Sequence, residues 1–189
     1  MNKIKRMLKE HMTVSSQIFD SCGENLMEAI ELSISALNNG KKIIWCGNGG
    51  SAADAQHMAA ELMGGLTSHD RKPIESIALT TDTSFITAWS NDDSFSNIFS
   101  RQVEGLGKEG DVLFAISTSG NSINIINALT IANKKKIKTI VLTGGKKSLM
   151  NEMSDVIICI PSTNTQRIQE GHLLVEHIIC EHIESNFLS

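Results

Sequence analysis

Residues 112–122 read Val-Leu-Phe-Ala-Ile-Ser-Thr-Ser-Gly-Asn-Ser, and this stretch decides the fold. Its first five residues are apolar without interruption, which is typical of a strand buried on both faces of a sheet. The six residues that follow are small and polar, and a helical pattern begins near Ile123. A buried strand, a polar turn and a helix form the repeating unit of parallel α/β sheets. The stretch therefore predicts one such unit.

Four similar apolar runs complete a set of five predicted strands. The strands cover residues 42–46, 74–79, 111–116, 138–142 and 155–160, and helical stretches separate them. We therefore expect an α/β fold of three layers, in which helices cover both faces of a doubly wound, five-stranded parallel sheet. Ligands of such folds bind beyond the carboxyl ends of the strands, where the turns at residues 47–51 and 117–122 fall.

The first 40 residues contain no strand pattern and predict two extra N-terminal helices. The apolar positions recur at helical spacing, with Ile4, Leu8, Val14 and Ile18 in the first helix and Leu26, Ile30, Ile34 and Leu37 in the second. The sequence Ser-Cys-Gly-Glu at residues 21–24 resembles a capping box that opens the second helix. The Asn39-Gly40 pair then ends it.

The domain organisation follows from these elements. Residues 165–187 predict one long helix, which exceeds the length that a crossover requires. We expect a single domain over residues 1–189. It consists of an N-terminal helical segment (1–40) at a subunit interface and an α/β core with the C-terminal helix (41–189).

Composition excludes several classes of protein. The net charge of −4 gives no electrostatic footprint for nucleic acid. The longest apolar runs are far too short to span a bilayer, and residues 1–10 lack the apolar centre of a signal peptide. The four cysteines stand far apart without a Cys-x-x-Cys pair. We therefore expect a cytoplasmic protein that contacts neither nucleic acid nor membrane.

The turn at residues 117–122 predicts a phosphate site. It brings four hydroxyl side chains, of Ser117, Thr118, Ser119 and Ser122, to the N-terminus of a helix. Free backbone amides and the helix dipole favour an anion there. Because the turn contains no lysine or arginine, it suits a sugar monophosphate better than a nucleoside triphosphate.

The turn at residues 47–51 reads Gly-Asn-Gly-Gly-Ser and allows a ligand to approach the backbone closely. It also fits a weak version of the dinucleotide-binding fingerprint, so a nicotinamide-dependent oxidoreductase is an alternative. That alternative needs an acid at the end of the next strand, about 20 residues further on. Asp82 lies too far along the chain to meet this requirement. The dinucleotide interpretation is therefore the weaker one.

Two helices carry side chains that could hold a metal. His57 and Glu61 lie four residues apart on the helix after the glycine turn, and Asp54 precedes them on roughly the same side. Gln169 and His177 lie two turns apart on the C-terminal helix. Together these donors could surround a zinc ion. The alternative for His57 and Glu61 is a solvated pair on the helix surface.

The remaining polar features allow simpler interpretations. Asn91 and Asp92 could cap the helix that begins near Ser94, or recognise sugar hydroxyls. Residues 143–145 predict a plain turn after a strand, without a ligand. The other histidines are expected in packing or at the surface; they are His11, His69, His172 and His182.

Taken together, these motifs resemble those of the phosphoheptose isomerases, a family of sugar-isomerase (SIS) domain enzymes. The resemblance rests on the turn at 47–51, the helix with His57 and Glu61, Asn91-Asp92, the turn at 117–122, and residues 167–170 with His177. It implies a flavodoxin-like sheet and the conversion of sedoheptulose 7-phosphate to D-glycero-D-manno-heptose 7-phosphate. It also implies a homotetramer with active sites across subunits, and a role in heptose supply for lipopolysaccharide or capsule.

The resemblance assigns roles to individual residues. The phosphate is expected on Ser117, Thr118, Ser119 and Ser122, and the sugar on Asn48, Gly49, Gly50, Asn91, Asp92 and Gln169. Zinc is expected on His57, Glu61, Gln169 and His177. For the enediol chemistry we expect Glu61 as the base and His177 as the acid.

Two departures and one alternative accompany the resemblance. Some relatives carry an arginine where this chain has Gly65, and some carry an acid where it has Gln166. Those side chains are therefore absent here or replaced by others. A non-catalytic SIS module that binds a sugar phosphate or a protein is the alternative function, and the presence of Glu61 and His177 favours the enzyme.

Overall fold

The computed structural model describes residues 1–188 as a parallel sheet between two layers of helices. Its elements are α1 (Asn2–Asn38), β1 (Ile43–Gly47), α2 (Gly50–Gly64), β2 (Ser76–Ala78), α3 (Thr83–Asp92), α4 (Ile98–Leu106), β3 (Val112–Ile116), α5 (Ile123–Lys134), β4 (Lys138–Gly144), β5 (Val156–Ile160) and α6 (Thr165–Asn186). Short 3₁₀ turns span Phe95–Asn97 and Leu149–Glu152.

The five strands are all parallel and lie in the order β2-β1-β3-β4-β5. This flavodoxin-like order confirms the predicted doubly wound sheet. The order reverses between β1 and β3, so the turns that follow these two strands border one crevice. The strand β2 is shorter than the predicted range 74–79. It lies at the edge and pairs only with residues 43–45 of β1.

The apolar side chains of the sheet point into two separate cores, which confirms the three layers. On one face α1, α2 and α6 pack on Trp45 and Phe114, whose rings stack with their centroids 4.1 Å apart. On the other face α4 and α5 cover Ile44 and Leu113. Every residue of β1 and β3 is buried, because each of these central strands is covered on both sides.

The N-terminal segment α1 consists of two helices that meet at a kink, as the sequence predicts. The kink lies at Cys22, whose φ of −148° and ψ of 17° are not helical. Within residues 1–188 the Ser21 side chain makes no capping hydrogen bond, whereas the Cys22 thiol donates to the Ile18 carbonyl at 3.3 Å. Ile18, Cys22 and Leu26 are all buried, so packing on the sheet fixes the two helices on either side of the kink.

None of the helices in the described range is both long enough and apolar enough to cross a membrane.

Candidate active site

The two polar turns at the crevice are joined by a reciprocal pair of side-chain hydrogen bonds. The Asn48 amide donates to Oδ1 of Asn124, and the Asn124 amide donates to Oδ1 of Asn48, both at 2.9 Å. Asn48 follows β1, and Asn124 lies in the first turn of α5 after β3. The sequence analysis missed Asn124. Asn124 is buried. The sequence could have indicated this, because the helical spacing of α5 places this asparagine on the inward face.

The turn at residues 117–122 gathers three serine hydroxyls at the N-terminus of α5. The Oγ atom of Ser117 lies 3.2 Å from that of Ser122 and 3.5 Å from that of Ser119. The Gly120 amide donates to Ser117 Oγ at 3.2 Å, which fixes the turn. Ser122 precedes α5 without capping it, so its hydroxyl is available to a ligand. Polar hydrogens and the helix dipole thus converge on one point.

Thr118 stands apart from this serine cluster. Its carbonyl accepts a hydrogen bond from the Gly144 amide at 3.2 Å, so it ties the turn to the end of β4. In the described part of the chain its hydroxyl makes no hydrogen bond with the three serines.

The helices α2 and α6 bring together the predicted histidine–glutamate group of His57, Glu61 and His177. One ligand atom from each of the three lies within 4.8 Å of the others. His57 Nε2 lies 2.9 Å from Glu61 Oε1, and the two imidazole rings lie 5.0 Å apart between centroids. His177 Nδ1 lies 2.8 Å from the Leu173 carbonyl, which fixes the ring and directs Nε2 away from its own helix.

The chemistry of this group fits zinc, which accepts imidazole nitrogens and carboxylate oxygens in tetrahedral sites. The fourth predicted ligand, Gln169, lies one turn into α6 and covers the glycine turn. Its Nε2 atom is 2.5 Å from the point where a β-carbon on Gly50 would lie. A side chain at position 50 would therefore displace this amide. The structure places Gln169 at the glycine turn and the other three donors at the helix crossing.

One half-buried and one fully buried carboxyl group, of Asp54 and Glu176, lie near the histidine–glutamate group. Burial raises the pKa of Asp54, and the nearby His57 partly offsets this effect. Glu176 is fully buried, and neither of its carboxyl oxygens has a hydrogen-bond partner within residues 1–188. Its burial, together with the neighbouring charge of Asp54, raises the pKa of Glu176 well above its ordinary value. This burial was not predictable from the sequence, because nothing in the local pattern of α6 distinguishes Glu176 from an exposed acid of the same helix.

Asn91 and Asp92 end α3 and are exposed. The Asn91 amide donates to Asp92 at 2.9 Å, and no contact described in residues 1–188 links either side chain to the two turns. The 3₁₀ turn that follows is capped by Ser94 instead, because the Ser94 hydroxyl accepts a hydrogen bond from the Ser96 amide at 3.1 Å. Their predicted contact with the sugar stays a prediction.

The other histidines lie in packing or at the surface, as predicted. His172 is fully buried with Nε2 3.1 Å from the Thr143 carbonyl, and burial lowers its pKa to about 4. His11 lies 2.7 Å from Glu170, and His182 and His69 are exposed.

Comparison with known proteins places this architecture among sugar-phosphate enzymes. The family model described as "SIS domain" matches residues 8–144. Curated phosphoheptose isomerases from Sulfurimonas denitrificans and Aliarcobacter butzleri are 50% and 48% identical to this chain. Each alignment covers 96% of the chain, and 93% and 95% of the respective relative.

Solved structures give the same result. A phosphoheptose isomerase from Neisseria gonorrhoeae superposes with a TM-score of 0.92 at 41% identity, covering 97% of this chain and 98% of that one. One from Francisella tularensis gives a TM-score of 0.94 at 36% identity, covering 97% of both chains.

Proposed function

The chain belongs to the phosphoheptose isomerases of the SIS-domain family, and from this membership we propose that it converts sedoheptulose 7-phosphate to D-glycero-D-manno-heptose 7-phosphate. It is an aldose–ketose isomerase. The observation that carries the proposed reaction is the meeting of Glu61 and His177, from distant helices, in one group with His57. Neither a dinucleotide site nor a purely binding module requires such an arrangement.

The substrate is held at its charged end by the serine cluster of Ser117, Ser119 and Ser122, with Thr118 beside it. Hydroxyls and backbone amides suit a phosphate dianion, and each bond to a charged group contributes about 1.5–3 kcal/mol. The sugar chain then runs toward the glycine turn, where Asn48, Gly49 and Gly50 border the crevice together with Gln169. We propose that this arrangement orients the carbonyl end toward the histidine–glutamate group.

Isomerisation moves one proton between neighbouring carbons through an enediol. Glu61 takes the proton from the carbon beside the carbonyl, and His177 exchanges a proton with the substrate oxygens. Zinc on His57, Glu61, Gln169 and His177 would polarise those oxygens when bound. A carboxylate that holds a metal is a weaker base. Either Glu61 is therefore free of the metal during turnover, or Asp54, whose pKa is raised, shares the proton transfer.

The oligomer we propose is a homotetramer with active sites at subunit interfaces. Two features support it. The exposed face of α1 carries the large apolar residues Ile4, Leu8, Met12 and Phe19. Asn91 and Asp92 have no described contact with the turns of their own chain, and a neighbouring subunit could receive them. We propose that residues 1–189 form one domain whose first 40 residues lie at this interface, in a cytoplasmic enzyme that supplies heptose for lipopolysaccharide or capsule.

An exchange experiment tests the reaction. Purified protein is incubated with sedoheptulose 7-phosphate in deuterated water, and its metal content is measured before and after chelation. We expect deuterium at carbon 2 of the product, and we expect exchange to stop on chelation and to return with zinc. A protein that contains metal and binds the sugar phosphate but forms no D-glycero-D-manno-heptose 7-phosphate is a binding module, and the proposed reaction is then wrong.

A further inference from the structure

A second cavity of about 350 Å³ opens beside the serine cluster, on the side of β4 and β5. We call it the lysine cavity. It is bordered by the turn at 117–122, by the segment after β4 that carries Lys146 and Lys147, and by the start of α6 with Ser162, Thr163 and Thr165. The sequence analysis assigned no ligand to residues 143–145, which form part of this wall.

The lysine-bearing segment is fastened to the turn at 117–122 at both of its ends. Before the lysines, the Gly144 amide donates to the Thr118 carbonyl at 3.2 Å. After them, the Leu149 amide donates to Oδ1 of Asn121 at 3.2 Å. The Asn121 amide in turn donates to the Ser119 carbonyl at 2.9 Å. The backbone of the lysine-bearing segment is therefore held next to the turn by these hydrogen bonds.

The far wall of the lysine cavity is tied in the same way. The Gly145 amide donates to the Ser162 carbonyl at 2.9 Å, which joins the lysine segment to the residues before α6. Thr165 is the first residue of this 22-residue helix, so the positive end of its dipole faces the same space. Three separate segments thus form one polar enclosure.

The lining carries positive charge without a matching acid. No acidic residue lines the cavity in the described part of the chain, and Lys146 forms no ion pair there. Lys147 pairs with Glu152 at 3.3 Å, but both side chains are more than 60% exposed. An exposed pair of this kind is worth little and yields to a stronger anion. The turn at 117–122 has no cation of its own, whereas the lining of the cavity includes Lys146 and Lys147.

We propose that the lysine cavity binds a phosphomonoester group, with Lys146 and Lys147 supplying the charge and the hydroxyls of Ser162, Thr163 and Thr165 supplying hydrogen bonds. The volume exceeds that of a phosphate and accommodates the attached end of a phosphorylated sugar. The ligand is either the phosphoryl end of the substrate, which would then lie on the cavity side of Thr118 and Ser119, or a separate phosphorylated sugar. The first of these sources rests on the proposed function, whereas anion binding does not.

The test uses the double variant Lys146→Gln/Lys147→Gln in the full-length protein. The matched control is Lys134→Gln/Lys135→Gln, which removes the same charge at the far end of α5. Inorganic phosphate is titrated into each protein by calorimetry at low salt. We expect at least tenfold weaker phosphate binding in the cavity variant and a change below twofold in the control. In Ser122→Ala, which alters the serine cluster but not the cavity lining, the lysine-dependent part of binding should remain.

Kinetics then distinguish the two sources. If the substrate phosphate occupies the cavity, the KM of the cavity variant rises about tenfold with kcat unchanged, and this KM loses its dependence on salt. If a separate ligand occupies it, KM stays at the wild-type value and inhibition by added phosphate weakens. Phosphate affinity equal to that of the wild type overturns the proposal. A wild-type protein that binds phosphate through the lysines but turns over no heptose phosphate contradicts only the proposed reaction.

Discussion

His57 and Glu61 meet because a helix places side chains four residues apart on one face. The imidazole and the carboxylate are 2.9 Å apart, and neither is deeply buried. The exposure matters for chemistry, because the pair can exchange protons with a ligand that enters the crevice. It also means that the pair contributes little to the stability of the fold. Changes at Glu61 therefore report on catalysis.

We expect Glu61→Gln to lower kcat by a factor of about 10² to 10⁴, since a positioned base contributes that much. The variant should fold normally, because the replacement keeps the shape of a half-exposed side chain. The measurement is kcat for isomerisation, together with a thermal unfolding curve. Glu181→Gln, at an exposed position of α6, is the control. Turnover like that of the wild type removes Glu61 from the mechanism.

Ser119→Ala should act on binding. The change deletes one hydroxyl from the serine cluster, and a bond to a charged ligand is worth about 1.5–3 kcal/mol. We therefore expect KM to rise roughly 10-fold to 150-fold while kcat changes little. Steady-state kinetics with the heptose phosphate measure both values, and Ser185→Ala on α6 is the control. A fall in kcat at unchanged KM would contradict a role of Ser119 in binding the phosphate.

The helices α2 and α6 are locked together by a buried ion pair at the end of the chain. Glu184 accepts hydrogen bonds from the Leu66 and Thr67 amides at 2.8 and 2.7 Å, and from Arg71 Nε at 2.8 Å. Arg71 also donates to the Glu61 carbonyl at 2.9 Å. The loop after α2 is thus anchored on α6, so the two helices keep a fixed separation at the crossing where Glu61 and His177 meet.

Glu184→Gln should destabilise the protein by about 3–5 kcal/mol, because it leaves the buried Arg71 without its partner charge. Burial alone would raise the pKa of Glu184, but hydrogen bonds from Thr67, Arg71 and Leu66 outweigh it and lower the pKa to about 2. The wild type therefore holds this stability above pH 4.5 and loses it as the pH falls toward 2. Urea unfolding measures both effects. Glu109→Gln, which breaks an exposed pair with Lys136, should change stability by less than about 0.5 kcal/mol.

His172 gives α6 a second dependence on pH. Its ordinary pKa of 6.5 falls to about 4 in the fold, because burial disfavours the charged imidazole. The unfolded chain therefore binds a proton that the folded chain excludes between these values. Stability is complete above pH 6.5 and decreases by about 3 kcal/mol as the pH falls to 4.

Urea unfolding at pH 7 and pH 4.5 tests this dependence. We expect His172→Gln to lose less stability over this interval than the wild type, and the exposed His182→Gln to behave like the wild type. If His172→Gln and the wild type lose the same free energy of unfolding between pH 7 and pH 4.5, other groups cause the pH dependence.

The elements were predictable where a local pattern carried the information. Unbroken apolar runs gave the five strands, and helical spacing gave α2, α5 and α6. The break in α1 was predictable as well, because residues 21–24 locally favour it and the kink lies at Cys22. The capping box was not, since the buried Cys22 and its neighbours pack on the sheet and no capping hydrogen bond to Ser21 is described in residues 1–188. The short length of β2 was not predictable either, because β2 lies at the edge of the sheet and its extent is set by pairing with β1 alone.

The candidate site likewise has parts that a local motif predicts and parts that only the folded chain shows. The spacing of His57 and Glu61 is local, so the sequence alone indicated the pair. Their meeting with His177 joins residues more than 100 positions apart, so the helical spacing suggested a shared zinc site but could not establish that the two helices meet. Asn124 and Glu176 became visible through burial, and the lysine cavity through hydrogen bonds between loops. These are properties of the folded chain that no short motif encodes.

The surface of the molecule carries a stripe of exposed apolar side chains along α1. Along α1 the side chains of Ile4, Leu8, Met12 and Phe19 are between 59% and 80% exposed. Their spacing places them on one stripe of the helix, and a stripe of this size costs free energy in water. The proposed tetramer would bury it.

We therefore expect the wild type to have the mass of a tetramer by light scattering, and Leu8→Glu/Phe19→Glu to shift it to smaller species. Two new carboxylates in a buried apolar interface cannot be solvated. The control Thr13→Glu/Gln17→Glu adds the same charge to exposed positions of α1 outside the stripe. A double variant that keeps the wild-type mass places the subunit interface elsewhere.

The paired amides of Asn48 and Asn124 have a stereochemical consequence. Each carboxamide uses one N–H and one lone pair in the reciprocal bonds, so Asn48 keeps a second N–H and a second lone pair in fixed directions. A sugar hydroxyl with the matching configuration would hydrogen-bond to this N–H and this lone pair without any rearrangement, whereas the epimeric hydroxyl would leave them without a partner. The chain would in this way distinguish sugars that differ only in the handedness of a single carbon.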